Sequence, residues 1–318
     1  MKYHYITLNF WRKRFVALVS LRRDYANWLG LTTDYVRGHS IRRALLREFP
    51  ALRLPANISV PNLTAIPELF RKGWGAAPLD SSHITLTSPI GLRFVCRIRN
   101  ANDMRHLVEI FVDDIYHYTL RNKIVLDVGM SNADSSIYFA NAGSTLVIGL
   151  EPIPDTFELA KRNILLNELG DKIIPIKAAL SAASGSVRVR YDRDWPNLAS
   201  LNPPTADNSG STEPDRVITV ETTTIESIMS RFGIDHVDMI KMDCEGAEYQ
   251  ILRSISKDTM SRISSLTIEF HQGIQDITDI LRSNGFDVRI WATYKNIMGY
   301  VVASRTTQQK AQVIMARE

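Results

Sequence analysis

Residues 124–151 read IVLDVGMSNADSSIYFANAGSTLVIGLE, and the rest of the chain is organised around them. An apolar run, Ile124-Val125-Leu126, lands on Asp127 and Gly129. A small polar turn follows, then an apolar helical segment with Ile137, Tyr138 and Ala140, then a second apolar run, Leu146-Val147-Ile148, ending on Glu151. Strand, turn, helix and strand with an acid at each strand tip predict a βαβ unit that cradles a nucleotide. A parallel crossover puts both strand ends on one sheet edge, so both acids face one crevice.

The turn narrows the ligand. A dinucleotide fold uses Gly-x-Gly-x-x-Gly so that backbone can touch a pyrophosphate at a helix N-terminus. Here Asp127-Val128-Gly129-Met130-Ser131-Asn132-Ala133-Asp134 has one glycine, with an acid ahead of it. Asp127 and Asp134 repel phosphate and suit the ammonium of a methionine moiety. Glu151, followed by Pro152, sits where an acid takes both ribose hydroxyls. Together these point to S-adenosylmethionine, with Gly129, Met130, Ser131 and Asp134 as the turn's cofactor positions.

Outside this unit, strands and helices alternate, as in a doubly wound α/β sheet. The pattern predicts a helix over Pro152–Leu169, a third strand over Ile173–Ala179, and a short extra strand over Val187–Tyr191. Trp195–Arg216 is rich in Ser, Asn, Pro and Asp and reads as a long loop, a flap over one edge. Beyond it come a strand at Val217–Thr223, a helix at Ile225–Phe232 and strands at Val237–Met242 and Ile263–Phe270. A helix over Ile274–Asn284 precedes a terminal antiparallel pair, Phe286–Trp291 and Tyr300–Ser304. Such a pair separates methyltransferase-type sheets from dehydrogenase ones. Upstream, Phe10–Trp28 and Ser40–Phe49 carry helical spacing, and Pro50, Pro55, Pro61, Pro67 and Pro78 interrupt the stretch after them. His83–Thr87 and Leu92–Ile98 flank Ser88-Pro89-Ile90-Gly91 as a hairpin. Asn102 or Asp103 caps a helix expected through Tyr118. The organisation expected is a mainly helical segment over 1–80, a hairpin-and-helix lead-in over 81–121, and a cofactor-binding domain over 122–318.

Composition excludes several classes. Of 318 residues 45% are apolar and 23% charged, the balance of an ordinary globular protein. Cys96 and Cys244 are too few and too far apart for a disulfide framework or a metal cluster, and read as two reduced thiols of a cytoplasmic protein. The net charge of +4 is uneven: eleven basic against three acidic side chains put residues 1–53 at +8 and the remainder near −4. That asymmetry suits a solvated helical face, an acidic partner, a nucleic acid or peripheral contact with an anionic membrane. Phe15–Leu21, bracketed by Arg12-Lys13-Arg14 and Arg22-Arg23, is too short to span a bilayer, so no transmembrane segment is expected.

Four blocks carry a resemblance to the FkbM-type S-adenosylmethionine-dependent methyltransferases: Val125–Ala140, Val147–Asn167, Lys177–Val187 and Val237–Leu252. The last contains Lys-x-Asp-x-Glu-Gly-Ala-Glu, the most specific. The resemblance spans roughly Ile90 to Ser304. It implies a class I methyltransferase-like fold, mostly parallel with an antiparallel C-terminal strand, and methyl transfer to an oxygen on a sugar, lipid-linked glycan or secondary metabolite. It also implies that Ala179 and Leu180 pack near the adenine. The family pattern usually has Ala-Asn at Met130-Ser131 and Gly at Ala133.

The strand Val237–Met242 runs into Asp243-Cys244-Glu245-Gly246 at the same sheet edge. Alternation sends Met239, Lys241 and Asp243 one way and Ile240 and Met242 the other. Asp243 then leaves the sheet where the reacting methyl sits, and His271 follows the next strand beside it. Methyl transfer to a hydroxyl needs alignment and a route for the proton. His271, Asp243 or Glu245 can supply that route, and Lys241 can orient an acidic substrate or pair with a carboxylate. Glu248 reads as a first-turn acid that complements the helix dipole. No metal is expected. Small-molecule or glycan O-methylation is the primary expectation. The alternatives are RNA methylation, with the basic N-terminal segment on phosphates, and a non-catalytic cofactor-fold protein, motivated by Met130 and Ala133.

Overall fold

The computed structural model describes residues 19, 21–36, 44–47, 53–54, 60–99, 101–116, 119–191, 216–294 and 298–305. The chain divides into two units, Met1–Ile115 and Tyr116–Glu318. Most of the expected Phe10–Trp28 helix and all of the expected flap before Arg216 lie outside the described residues.

In the first unit, helix α1 (Trp28–Val36) precedes a short antiparallel pair, β1 (Ala44–Leu45) and β2 (Arg53–Leu54). The helix expected over Ser40–Phe49 is therefore not formed at Ala44–Leu45, where pairing with Arg53–Leu54 takes the backbone groups instead. Helix α2 (Val60–Arg71) contains two of the prolines expected to interrupt this region. Pro61 lies in the first turn, where its missing N–H has no intrahelical partner to lose. Pro67 lies inside, and the Leu63 carbonyl it leaves free accepts the Tyr25 hydroxyl at 2.6 Å.

The expected hairpin is present as β4 (His83–Thr87) and β5 (Arg93–Arg97), with β3 (Gly75–Pro78) added on the other side of β4. Helix α3 (Asn102–Leu107) passes into a π turn at Val108–Val112 and stops well before Tyr118, with Asp114 at φ 48°. Asp103 does not cap it. Its carboxylate accepts the Arg97 backbone N–H at 2.7 Å and the guanidinium at 2.6 Å. Burial alone would raise that carboxyl's pKa, but Arg97 outweighs burial and holds it below the usual range.

The second unit is built on a seven-stranded sheet in the order β14-β15-β13-β12-β6-β7-β8. Its strands are β6 (Ile124–Val128), β7 (Leu146–Leu150), β8 (Ile173–Ile176), β12 (Val237–Met242), β13 (Ile263–Phe270), β14 (Phe286–Tyr294) and β15 (Met298–Arg305). Five run parallel. β15 is antiparallel to both β13 and β14, as the terminal pair predicts. The connecting helices are α4 (Asp134–Asn141), α5 (Pro154–Leu166), α6 (Ile225–Phe232), α7 (Glu248–Ser254), α8 (Lys257–Ser261) and α9 (Gln275–Ser283). A core including Leu126, Ile148, Ile240, Leu266 and Phe270, all at most 2% exposed, fills the sheet–helix layers.

The end of the third strand differs from the expected Ala179, while the strands at Gly185–Tyr191, Phe286–Tyr294 and Met298–Arg305 run longer than expected. β8 ends at Ile176, and Ala179–Leu180 forms a separate strand, β9, parallel to β11 (Arg216–Thr223), which also pairs with β10 (Gly185–Tyr191). The chain bends out of the main sheet between them, where Ala178 N–H donates to Ile176 O at 3.0 Å. Pro175 sits in β8, an edge strand, where a missing donor costs no ladder bond. No helix among the described residues is long and apolar enough to cross a membrane.

Candidate functional site

The chain leaves β6 in one direction, through β7 and β8, and returns to β12 on the other side of β6. This reversal opens a crevice at the carboxyl ends of β6 and β12, where an open α/β sheet takes its ligand. Asp127, Gly129 and the turn to Asp134 form one wall, and Asp243 to Glu248 the other.

The two walls are joined at Gly129. Its φ is +78°, and a Cβ there would stand 2.0 Å from the Asp243 carbonyl oxygen, so only glycine fits. Lys241 braces the junction from below. Its side chain is 6% exposed, and its ammonium donates to Gly129 O at 2.5 Å and lies 3.4 Å from Asp127 Oδ1 and 4.0 Å from Asp243 Oδ2. Burial would lower the lysine's pKa. Asp127, Asp243 and Asp134 outweigh burial and keep it raised. Asp127 is fully buried, and its Oδ2 accepts the hydroxyls of Ser135 and Ser136, each at 2.6 Å. The acid expected to meet an ammonium is thus engaged by the protein's own lysine and serines.

From Gly129 to Asp134 the backbone is strained, with Ser131 at φ 49° and Ala133 at φ 68°. Gly129 and Met130 N–H both donate to Leu150 O, at 3.1 and 2.9 Å. The Met130 side chain is fully buried, and its sulfur fills the space beside Gly149 that a Cβ would take. Asp134, 3% exposed, accepts its neighbour Ser135's N–H at 2.7 Å. Ser131 Oγ and Asn132 Nδ2, both buried in this turn, have no hydrogen-bond partner among the described residues. Buried polar atoms in that state fit a polar ligand against the turn, and a phosphate-free, cation-bearing ligand suits the acids around it. The residues present therefore fit S-adenosylmethionine.

Glu151, 7% exposed, follows β7, and its Oε1 accepts the Ile153 N–H at 2.8 Å across Pro152. That bond fixes the carboxylate's direction, and a carboxylate retains further lone pairs for hydroxyl donors. Ala179 and Leu180, 7% and 3% exposed, lie on β9 in the smaller sheet. Their position is set by the bend after Ile176.

On the other wall, Glu245 has φ 54° and Gly246 φ +102°, so the chain turns sharply before α7. The turn brings three carboxylates around His271, which follows β13. His271 Nε2 lies 3.8 Å from Asp243 Oδ1 and 3.6 Å from Glu245 Oε2, and Nδ1 lies 3.1 Å from Glu248 Oε1. Burial would lower the imidazole's pKa. The hydrogen bond to Glu248 and the charges of Glu245 and Asp243 overcome it and raise it to about 9. Asp243 and Glu245 side chains are 33% and 29% exposed, so this wall opens outward.

Sequence reasoning missed three kinds of residue here. Glu248 is fully buried and accepts Cys244 N–H at 3.0 Å besides facing His271, so it does more than complement a helix dipole. Ser135 and Ser136 carry a signal only in hindsight, as hydroxyls at the start of the helix that follows Asp127. Tyr116 has no sequence signal. Its ring packs at a tilt against Tyr138 and Phe139, with ring centroids at 5.8 and 5.0 Å. Burial and then the charges of Asp127, Asp243, Asp134 and Glu269 hold its phenol well above its usual pKa, placing it within electrostatic reach of both walls.

The family described as the methyltransferase FkbM domain matches residues 127–288, about half of the chain. Methyltransferase sdnD of Sordaria araneosa is 23% identical over 212 residues, covering 57% of this chain and 80% of that protein. Among solved structures, magnesium protoporphyrin IX methyltransferase (ChlM) of Synechocystis PCC 6803, with bound SAM, is 16% identical. The likeness covers 65% of this chain and 83% of ChlM with a TM-score of 0.39. TrmK of M. capricolum, in complex with S-adenosyl-homocysteine, is 11% identical over 59% of this chain and 64% of its own, with a TM-score of 0.37.

Proposed function

From a chain that belongs to the FkbM methyltransferase family, we propose an S-adenosylmethionine-dependent enzyme that methylates a hydroxyl oxygen on a small-molecule or glycan acceptor. The observation that carries the oxygen acceptor is the convergence of Asp243, Glu245 and His271 on the open wall of the crevice. A hydroxyl is a poor nucleophile until its proton has somewhere to go, and this cluster is the proton's destination.

S-adenosylmethionine, when bound, supplies a methyl group on a sulfonium that needs no further activation. The turn from Gly129 to Asp134 receives its amino-acid end, with Ser131 and Asn132 donating and Asp134 facing the ammonium. Glu151 takes the ribose hydroxyls, and Ala179 and Leu180 flank the adenine. Asp127 and Lys241 act as positioning residues: they hold the turn after β6 against the strand end of β12. Asp243 and Glu245 orient the acceptor hydroxyl, and the carboxylate–imidazole cluster takes up its proton as the new bond forms.

The test is transfer from methyl-labelled S-adenosylmethionine to a panel of glycosides and polyols, with total RNA as the competing acceptor. Label recovered in an alkali-stable methyl ether of a small molecule is the expected result. Label confined to RNA, or to an amine, overturns the oxygen-acceptor assignment.

A further inference from the structure

Glu248 has the burial of a core residue and the charge of a surface one. It is 0% exposed, and its Oε1 is occupied by the Cys244 N–H and the His271 ring. Its Oε2 is buried with no hydrogen-bond donor among the described residues. A carboxylate oxygen left this way is costly unless a cation completes it. The candidates nearby are few. Lys241 is committed to Gly129 and Asp127, and His271 already meets Glu248 through its other oxygen.

One ligand atom each from Asp243, Glu248 and His271 lies within 4.8 Å of the others. Three ligands about 2.1 Å from a shared ion lie within about 4.2 Å of one another. Small side-chain rotations therefore bring this trio into coordination range. Glu245 adds a fourth side chain, with its Oε2 3.6 Å from His271 Nε2. That separation exceeds a hydrogen bond, which spans about 2.7–3.2 Å, yet suits two groups facing one ion. The strained φ of Glu245 holds it there.

We propose that Asp243, Glu248 and His271 bind a divalent cation of the manganese type, with Glu245 closing the site beside the acceptor hydroxyl. Two carboxylates and one imidazole favour an ion that accepts both oxygen and nitrogen and keeps open positions. Asp243 supplies the open side, since it is a third exposed. The site deepens the methyl-transfer assignment and rests on it only for its chemical use. There, the acceptor hydroxyl coordinates the ion, which makes its proton easier to lose. Glu245 takes that proton as the oxygen–methyl bond forms and the sulfur–methyl bond breaks. The products are the methyl ether, S-adenosylhomocysteine and one proton, passed on to water.

The experiment uses the full chain stripped with a chelator, then titrated with Mn2+ alone and followed by electron paramagnetic resonance. Calorimetry with S-adenosylmethionine runs on the same preparation. One bound Mn2+ per chain is expected, with binding weakened about 100-fold in Glu248→Gln and in Asp243→Asn, and displaced by excess Mg2+. Asp243→Asn is the safer variant, because its side chain is partly exposed and its loss leaves the core intact. A wild-type chain that binds S-adenosylmethionine but neither Mn2+, Mg2+ nor Zn2+ at millimolar concentration overturns the site. So does Mn2+ binding that both variants retain unchanged. Mn2+ binding without cofactor binding would uphold the cation site and sink the methyl-transfer assignment instead.

Discussion

The turn after β6 and the turn after β12 face each other across the crevice, and they spend their charges differently. Both leave a buried strand through left-handed residues: Ser131 and Ala133 in the first, Glu245 and Gly246 in the second. In the first, Asp127 is satisfied by two serine hydroxyls at 2.6 Å and by a lysine at 3.4 Å. In the second, Asp243 and Glu245 stand 3.6–3.8 Å from His271, beyond hydrogen-bonding range. The acid of the first wall is engaged by the protein itself before any ligand arrives. The second holds its acids apart, as a site does when the substrate or an ion is meant to bridge them. Stability should therefore depend on the first wall and turnover on the second.

The largest effect expected is at the junction. Gly129→Ala drives a Cβ to within 2.0 Å of a backbone carbonyl at a φ of +78°. Neither strand end can yield without breaking sheet pairing. The loss should lie beyond about 4 kcal/mol, at the exceptional end for one substitution, as measured by urea denaturation. Gly170→Ala, with nothing within 4 Å of its added Cβ, should stay within about 0.5 kcal/mol. Equal losses at the two glycines would mean the junction is not where the walls are fixed.

Next is Lys241→Met, which leaves Asp127 buried without its cation and Gly129 O without its donor. Breaking one side of a buried pair costs about 3 kcal/mol or more. Adding Asp127→Asn should recover part of that, because the residual penalty is an uncompensated charge and not lost packing. A double variant as unstable as the sum of the two singles would show that the pair does not act together.

The walls separate most sharply in function. Asp243→Asn should leave cofactor affinity within about threefold while slowing methyl transfer about 100-fold, the lower range for losing a proton acceptor. Glu151→Gln should do the reverse, weakening S-adenosylmethionine binding by about tenfold, as expected when a charged acceptor becomes neutral. Calorimetry and initial rates measure the two. If Asp243→Asn weakened cofactor binding as much as Glu151→Gln, the two turns would not be divided between cofactor and acceptor.

The division of labour between the walls was only half legible in the sequence. The central strands β6 and β7 showed as apolar runs, Ile124-Val125-Leu126 and Leu146-Val147-Ile148, as expected of parallel strands covered on both faces. Asp127, Glu151, Asp243 and His271 were legible because strand ends in a βαβ unit fall at one edge. The partners of those acids were not. Nothing local announces that Ser135 and Ser136 turn inward to Asp127, or that Lys241 goes to a carbonyl across the sheet. The lysine's reach depends on the register Lys241↔Asp127 between strands far apart in sequence. Glu248 looked like a helix-dipole acid because its burial comes from the packing of His271 and Cys244. The early bend after Ile176 was hidden for a similar reason: the pull on Ala179–Leu180 comes from Thr222 and Thr223.

The smallest effect expected is at Ala133, where the family pattern usually has glycine and this chain does not. Its φ of 68° puts a Cβ in the left-handed region, at about 1–2 kcal/mol. Ala133→Gly removes that strain. It also frees the unfolded chain, which costs about 0.4–1 kcal/mol, and it removes a fully buried methyl worth about 0.8 kcal/mol. These nearly cancel, so the net change should stay within about 1 kcal/mol. In a unit of this size that moves the melting temperature by about 2–4 °C at most. Cofactor affinity should not move either, since the backbone of the turn already takes the conformation glycine would allow. A tenfold tighter S-adenosylmethionine in Ala133→Gly would show instead that the methyl intrudes on the cofactor. The turn after β6 would then not be preformed for its ligand.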